Sequence, residues 1–501
     1  FEDLHWADVS SIELLETVLR LAEEAPILFL LASRPGFAET SGRILRAARE
    51  RHEGAFVSLE LSPLRSGDTR RLLADLFAHG GLPVGARERI ETQAAGNPFY
   101  VEEVIRSLLE QGALEETPDG LRATPKIHAA VIPGTVQEVV LSRVDRLDPA
   151  RKSLLQLASV IGRSFSSQVL AHLVQGGADV GVGLARLVEA QLLALDADEG
   201  TYSFRHPMIQ DITYDSILEG RRRELHCAVG NALERELASG RAGVHATLAY
   251  HYGRGGDLTR AEEHLFAAGD EAARGAASNE ALHFFQEASR LYREIHGADA
   301  DPRKMALLEK NVGLAFFNRG LLPEASRQFN RALELMGERI PQGRLEMGRR
   351  FAGTLLSVLP PLYLPVGHRR RPKATPEQHE TTQPMYTPAQ AQTTGDPARF
   401  LFDTMENLRR LARVDPHTVA GAGGMYASVI GIFSFGGISF SVSERFLRLA
   451  REAVDPGNPD ELLLFRMMNF VHCFLSGDWA REHEIEESLV ETYARPPKPH
   501  Q

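Results

Sequence analysis

The chain is 501 residues long, 43% hydrophobic and 25% charged, which excludes wholesale disorder and a collagen-like repeat; at roughly 150 residues per domain it should hold about three domains. Its 67 acidic residues outnumber 56 basic ones, a net charge of −11, so a broad phosphate-binding surface is not expected. Two cysteines far apart, Cys227 and Cys473, exclude a disulfide framework and fit a reducing cytoplasm. The first residues carry neither a basic stretch nor an apolar run of signal-peptide type.

In chain order, residues 9–24 read as an amphipathic helix with Ser10 or Ser11 as cap, Ile12, Leu15, Val18, Leu19 and Ala22 as apolar stripe, and Pro26 as stop. The apolar run Ile27 to Ala32, bounded by Pro26 and Pro35-Gly36, predicts a strand buried on both faces. Phe56 to Leu61 alternates and predicts another strand. Together they make an α/β layer, with Phe1 as the last residue of a preceding strand. From Pro63 to about Ala130 the pattern is helical, broken at Gly96-Asn97-Pro98. Residues 135–195 hold three or four short helices, followed by a hairpin across Leu192 to Phe204, the order of a winged helix.

Beyond about Glu219 the chain reads as all-helical with repeats. Gly313, Phe316, Gly320, Ala325, Phe329 and Ala332 follow the small-and-aromatic spacing of tetratricopeptide repeats, and Ala249, Tyr252, Gly256, Ala261, Leu265 and Ala268 share it. Small residues let paired helices approach, and the larger ones fill the gaps between them. Ala281, Phe285 and Ala288 suggest a further helix at irregular spacing. Gly477-Asp478-Trp479 marks a turn like Gly256-Asp257-Leu258. Residues 360–397, rich in Pro, Thr and Gln with a basic run from His368 to Arg371, read as a solvated linker. The uncharged stretch Thr418 to Ser443 is read as a glycine-bearing buried helix pair, not a membrane span.

The chemistry concentrates in Phe1-Glu2-Asp3-Leu4-His5-Trp6-Ala7-Asp8. Two adjacent carboxylates directly after a buried strand need a cation or a protonated partner. At the carboxyl edge of a phosphate-binding sheet, one such acid holds Mg²⁺ and its neighbour polarises water. The competing reading is a pair of solvated acids at the start of the following helix.

This segment resembles the Walker B region of the STAND class of signalling ATPases, related to AAA+ proteins, whose hallmark strand ends in Glu-Asp-Leu-His-Trp-Ala-Asp. The resemblance implies that Glu2 is the magnesium-side acid and Asp3 the water-polarising one. Ala32-Ser33-Arg34-Pro35 is similar to the strand end whose arginine, here Arg34, senses the γ-phosphate. Gly96-Asn97-Pro98-Phe99-Tyr100 resembles the lid motif whose proline packs on adenine, which implies nucleotide-binding roles for Gly96 and Pro98. Phe204-Arg205-His206-Pro207 resembles the motif whose histidine, here His206, reaches the ADP β-phosphate. The Gly-x-x-x-x-Gly-Lys-Ser/Thr phosphate loop occurs nowhere in the 501 residues. In the resembling family it precedes the acids. The expectation is therefore a piece of a longer protein, inactive or nearly so by itself.

The chain shows no zinc-type Cys/His cluster and no nucleophile motif around either cysteine. Val182 to Leu192 holds only Arg186 against Glu189, too little basic charge for a groove-reading helix, so no direct DNA binding is expected. The expected fold is mainly α. A truncated P-loop-type α/β core (1–62) leads to a helical lid (63–130) and a winged helix (131–218). Tetratricopeptide-like repeats (219–345), an irregular linker (346–400) and further such helices (401–501) form an α-solenoid. The resemblance implies an ATP/ADP- and Mg²⁺-dependent switch that self-assembles on activation, receives a protein or peptide on its repeats and controls an output domain such as a nucleotide cyclase. The alternatives are a repeat scaffold with an ATPase remnant, and a transcription regulator without its DNA-binding domain. No membrane association is expected.

Overall fold

In the computed structural model the chain is mainly helical. The structure describes residues 1–481 except 52–53, 78–80, 175–179, 197–199, 238–242, 338–343, 364–371, 374–396 and 436. Two compact units divide the chain, Phe1–His264 and Leu265–Gln501.

The first unit opens with a 3-10 turn, Leu4–Trp6, and helices α1 (Val9–Val18), α2 (Leu21–Glu24) and α3 (Ser41–Arg51). Asp8, not a serine, caps α1, accepting the Ser11 N–H at 2.8 Å. The single helix expected over 9–24 is two, with Val18 half-buried and Ala22 exposed. Leu4, Ile12, Leu15, Leu19, Ile44 and Ala48 form a small core, with Phe29, Leu31 and Phe56 packed on it.

Residues 27–32 and 56–61 are extended but belong to no named strand. The Phe1 amino group donates to Leu30 O at 2.8 Å and the Ala32 N–H to Phe1 O at 2.9 Å, so Phe1 lies alongside 30–32 as a parallel neighbour. Burial on both faces is overturned: Leu28 is 91% and Leu61 94% exposed, and Leu30, Val57 and Leu59 are exposed too. Successive side chains of an extended segment point to opposite sides. Among the described residues, the core built on α1 and α3 covers one side only, the side of Phe29 and Leu31.

Helices α4 (Ser66–Leu76), α5 (Val84–Ala94) and α6 (Pro98–Glu110) follow, packed on Ile90, Tyr100, Val101, Val104 and Leu108. The expected all-helical run ends in a hairpin, β1 (Leu114–Thr117) with β2 (Gly120–Ala123), Thr117 facing Gly120. Its signal, Pro118-Asp119-Gly120, is a turn sequence with a known mechanism. Next come α7 (Val136–Arg146), α8 (Pro149–Ile161), β3 (Ser164–Ser166), α9 (Ser167–Leu173), α10 (Val180–Glu189), β4 (Leu193–Leu195) and β5 (Thr201–Phe204). The strands form an antiparallel sheet in the order β3-β5-β4. Leu155, Leu170, Leu184, Leu187, Leu193 and Phe204 fill the space between sheet and helices. Helices α11 (Pro207–Asp215), α12 (Glu219–Leu237), α13 (His245–Gly255) and α14 (Leu258–Arg274) follow, the unit boundary falling inside α14.

In the second unit α15 (Ser278–His296), α16 (Pro302–Asn318) and α17 (Leu322–Leu335) carry the repeat chemistry. A β-carbon on Gly313 would lie 2.8 Å from the Phe329 ring, and one on Gly269 2.6 Å from the Phe285 ring. The helix that looked irregular in sequence is thus in register. Gly269, Ala272, Ala276, Ala281, Phe285 and Ala288 reproduce the spacing of the Gly313 copy. The shared turn position is left-handed in all three copies, at Gly256, Ala276 and Gly320, with φ of 85°, 59° and 74°. Gly477 (φ 78°) ends a helix in the same way.

Helix α18 (Arg344–Tyr363) replaces the irregular linker expected from 346, because Phe351, Leu355, Val358 and Leu362 form a stripe that packs into the core beyond it. The basic run at 368–371 and residues 374–396 lie outside the described residues. Helices α19 (Pro397–Leu411), α20 (Ala422–Phe435), α21 (Phe440–Ala453) and α22 (Pro459–Ser476) complete the unit. The uncharged stretch 418–443 supplies the buried helix α20 and the start of α21. No helix among the described residues is long and apolar enough to cross a membrane.

Adding a methyl group at Gly313 forces the Phe329 ring out of place, so Gly313→Ala should cost about 1–3 kcal/mol in urea unfolding. Adding Phe329→Leu should recover part of that loss, because the smaller side chain vacates the contested space. No loss in the single variant would remove the close approach as a constraint.

A second expectation concerns pH. His226 Nδ1 and His251 Nδ1 lie 3.0 Å apart between α12 and α13, and His226 Nε2 is 2.8 Å from the Tyr214 hydroxyl. Burial pushes both rings down to about 4; Arg254 and Arg222 add to this at His226, and His226 adds to it at His251. The unfolded chain, titrating near 6.5, therefore binds more protons than the folded one between those values. Stability should be complete above about pH 6.5 and fall as the pH drops toward about 4. The urea midpoint of a His226→Asn/His251→Asn variant should fall less over that window than the wild-type midpoint.

Candidate functional site

The acid pair sits where the chain leaves Phe1 and turns into the 3-10 helix. Asp3 occupies the left-handed region at φ 54°, and its side chain caps no backbone group. The guanidinium that meets it comes from 160 residues away. Arg163 Nη1 donates to Asp3 Oδ2 at 3.0 Å, and Arg163 Nη2 lies 4.0 Å from Glu2 Oε2. All three side chains are about half exposed or more. Among the described residues, Arg34 forms no ion pair with either acid; its side chain is exposed, and its backbone N–H donates to His5 Nδ1 at 3.4 Å.

Arg163 stands between α8 and β3, and its carbonyl accepts the Phe204 N–H at 2.9 Å. Two residues beyond Phe204, His206 caps α11: its Nδ1 accepts the Met208 N–H at 3.2 Å, with Pro207 in the first turn. Nδ1 being an acceptor, the proton of the neutral ring belongs on Nε2. The His206 ring stacks on Phe99, with centroids 3.8 Å apart and planes 17° apart. Burial first, then the Arg163 charge, lowers the His206 pKa, while Glu102, Asp211 and Asp3 pull it up.

Phe99 opens α6. Asn97 caps that helix by accepting the Phe99 N–H at 3.0 Å, and Pro98, exposed, stands at its first turn, where its missing N–H costs nothing. Gly96 has φ +79°, and a β-carbon there would lie 2.3 Å from Leu64 O. The glycine is required by the close pass of the Pro63-Leu64 backbone, and the Leu64 N–H donates to Gly96 O at 2.9 Å.

The structure thus brings three separated segments together: Glu2-Asp3, the Phe99 end of the Gly-Asn-Pro turn, and His206. Arg163 and Phe99 join them. Sequence reasoning missed Arg163, whose surroundings carry no motif. It also missed His5, buried between Trp6 and Phe37 with no hydrogen-bond partner for Nε2 among the described residues. No group of three or more metal-type ligands occurs among the described residues. Two adjacent carboxylates suit a hard cation such as Mg²⁺, which keeps several waters and takes one or two protein carboxylates.

No family model matches the chain. It is similar to the uncharacterized protein R02095 of Rhizobium meliloti (strain 1021), 27% identical over 356 residues, covering 68% of this chain and 32% of that protein. The chain therefore spans about a third of the length of the curated relative it matches. Among solved structures it is similar to PH0952 of Pyrococcus horikoshii, described as a STAND protein with a tetratricopeptide repeat sensor, at 12% identity and a TM-score of 0.37. That match covers 92% of this chain and 63% of the other.

The cap and the stack at His206 can be separated. Asparagine keeps an acceptor for the helix start but removes the ring, whereas alanine removes both. His206→Ala should be about 1 kcal/mol less stable than His206→Asn in urea unfolding; equal stabilities would strip the ring nitrogen of its capping role.

Proposed function

We propose that this chain belongs to a nucleotide-controlled signalling ATPase of the STAND type, with the first unit as part of the switch and the helical repeats as a sensor for a protein or peptide. One observation carries the reading: the acids of the Walker B-like segment, the aromatic next to the lid-motif proline and the motif histidine converge through Arg163 and the Phe99–His206 stack. In this reading Glu2 and Asp3 hold Mg²⁺ with its waters, and Asp3 orients the attacking water for ATP hydrolysis. Arg34 answers to the γ-phosphate. Pro98 meets the adenine, and the Nε2–H of His206 is a donor for the ADP β-phosphate. Gly96 acts by shaping the turn. The three-stranded sheet with α8, α9 and α10 acts as the winged helix that packs in the ADP state, and exchange for ATP frees the chain to self-assemble and drive a fused output domain. We place this activity in the cytoplasm.

A second reading, a repeat scaffold with an ATPase remnant, draws on the absence of any named strand among the described residues 1–62. The two separate in the native full-length protein. Under the switch reading, Asp3→Asn abolishes phosphate release from ATP but leaves ATP binding within about twofold, since asparagine keeps an oxygen for the metal and Glu2 its charge while the carboxylate that polarises the water is lost. Turnover retained in that variant would remove Asp3 from the chemistry; a wild type that neither binds nor hydrolyses ATP would favour the scaffold.

A further inference from the structure

His5 is 4% exposed, in the 3-10 turn directly after Asp3. Its ring lies against those of Trp6 and Phe37, with centroids 5.2 and 5.1 Å away. Nδ1 accepts the Arg34 N–H at 3.4 Å, so the proton of the neutral ring belongs on Nε2. That donor is buried and meets no acceptor among the described residues. A buried N–H without a partner costs stability. A phenyl ring would occupy the place beside Trp6 and Phe37 without that cost. What the imidazole adds is the acceptor at Nδ1.

That acceptor acts on one backbone position. The acid turn and residues 30–32 already run side by side, the Leu4 N–H donating to Ala32 O at 3.2 Å. Two residues further on, the His5 ring holds the Arg34 N–H, and Thr40 Oγ1, just before α3, donates to His5 O at 3.5 Å. Pro35 steers Arg34 toward an extended backbone. The Arg34 side chain is exposed, so its reach is set from the backbone. We propose that His5 is a positioning residue for Arg34: through Nδ1 it fixes the stem from which the guanidinium meets a γ-phosphate, and so ties the arginine to the turn that carries Glu2 and Asp3. Misplacing such a group by about 1 Å can cost about 100-fold in rate. The inference rests on the reading of Arg34 as the γ-phosphate residue.

The test separates the acceptor from the ring, in the native full-length protein. His5→Phe keeps an aromatic beside Trp6 and Phe37 and removes the acceptor. His5→Asn removes the ring and keeps an acceptor near the Nδ1 position. In steady-state ATP hydrolysis kcat should fall about ten- to 100-fold for His5→Phe and no more than about threefold for His5→Asn. ADP affinity should stay within about twofold in both, because ADP has no γ-phosphate for Arg34 to meet. Arg34→Ala should lose at least as much turnover as His5→Phe, and the double variant no more than Arg34→Ala alone. Wild-type turnover in His5→Phe, an equal or larger loss in His5→Asn, ADP binding weakened along with ATP, or losses that multiply in the double variant would each make His5 a packing residue and overturn the inference, with the role of Arg34 untouched. Full turnover in Arg34→Ala, or none in the wild type, would remove the arginine from the chemistry and the inference with it.

Discussion

The first unit depends on one buried cation. Arg143, on α7, is 2% exposed. Its guanidinium pairs with buried Glu103 on α6, donates through Nε to Glu110 Oε1 at 2.7 Å, and donates through Nη2 to Ala190 O at 2.6 Å, just past α10. One side chain thus ties α6 to α7 and to the end of α10. A buried charge is tolerated only when its donors are spent on acceptors, and removing either partner of such a pair typically costs about 3–5 kcal/mol. The planar fork of arginine supplies donors in three directions, which lysine cannot do with fixed geometry. With α6 and α10 fixed in this way, Phe99 at the start of α6 and the hairpin after α10 are held in one frame, and the stack with His206 follows.

The motif residues of the candidate site also answer to ordinary structural needs. Asn97-Pro98 and His206-Pro207 are both helix starts of one design, a side-chain acceptor at the cap and a proline in the first turn. Asp148-Pro149, Asp301-Pro302 and Asn458-Pro459 repeat that design where no ligand is proposed. What sets His206 apart from those caps is its ring on Phe99 and its closeness to the Arg163 charge. A histidine is a less usual cap than aspartate or asparagine. Its presence puts a titratable donor where a smaller polar residue would have served the helix.

The second unit is held differently. Between its repeat helices, glycines at 269 and 313 make room for the rings of Phe285 and Phe329, so packing there is set by shape. Beyond Arg344, α20 is buried on nearly every side among α18, α19, α21 and α22. Gly423 lets the backbone near Val454 pass, and the buried carboxylate of Glu461 accepts the Gly424 N–H at 3.1 Å. A glycine-bearing helix with no charge reads like a membrane segment because both environments ask for the same thing, close approach of backbones and no unpaired polar group.

Helices and the hairpin at β4–β5 were legible in the sequence because their causes are local, apolar spacing and turn composition, although the cap of α1 fell on Asp8 and not on a serine. The acid pair was legible as a motif. The hairpin at 114–123 and the register of the Gly269 copy were also written there, in Pro118-Asp119-Gly120 and in a repeat that shares α14 with its neighbour. Other features were decided only by tertiary structure. The exposure of Leu28 and Leu30 depends on what lies against them, and an apolar run cannot state how many of its faces are covered. The pairing of Arg163 with Asp3 joins residues 160 positions apart, and no local pattern marks an arginine whose partner is chosen by where two distant turns come to rest.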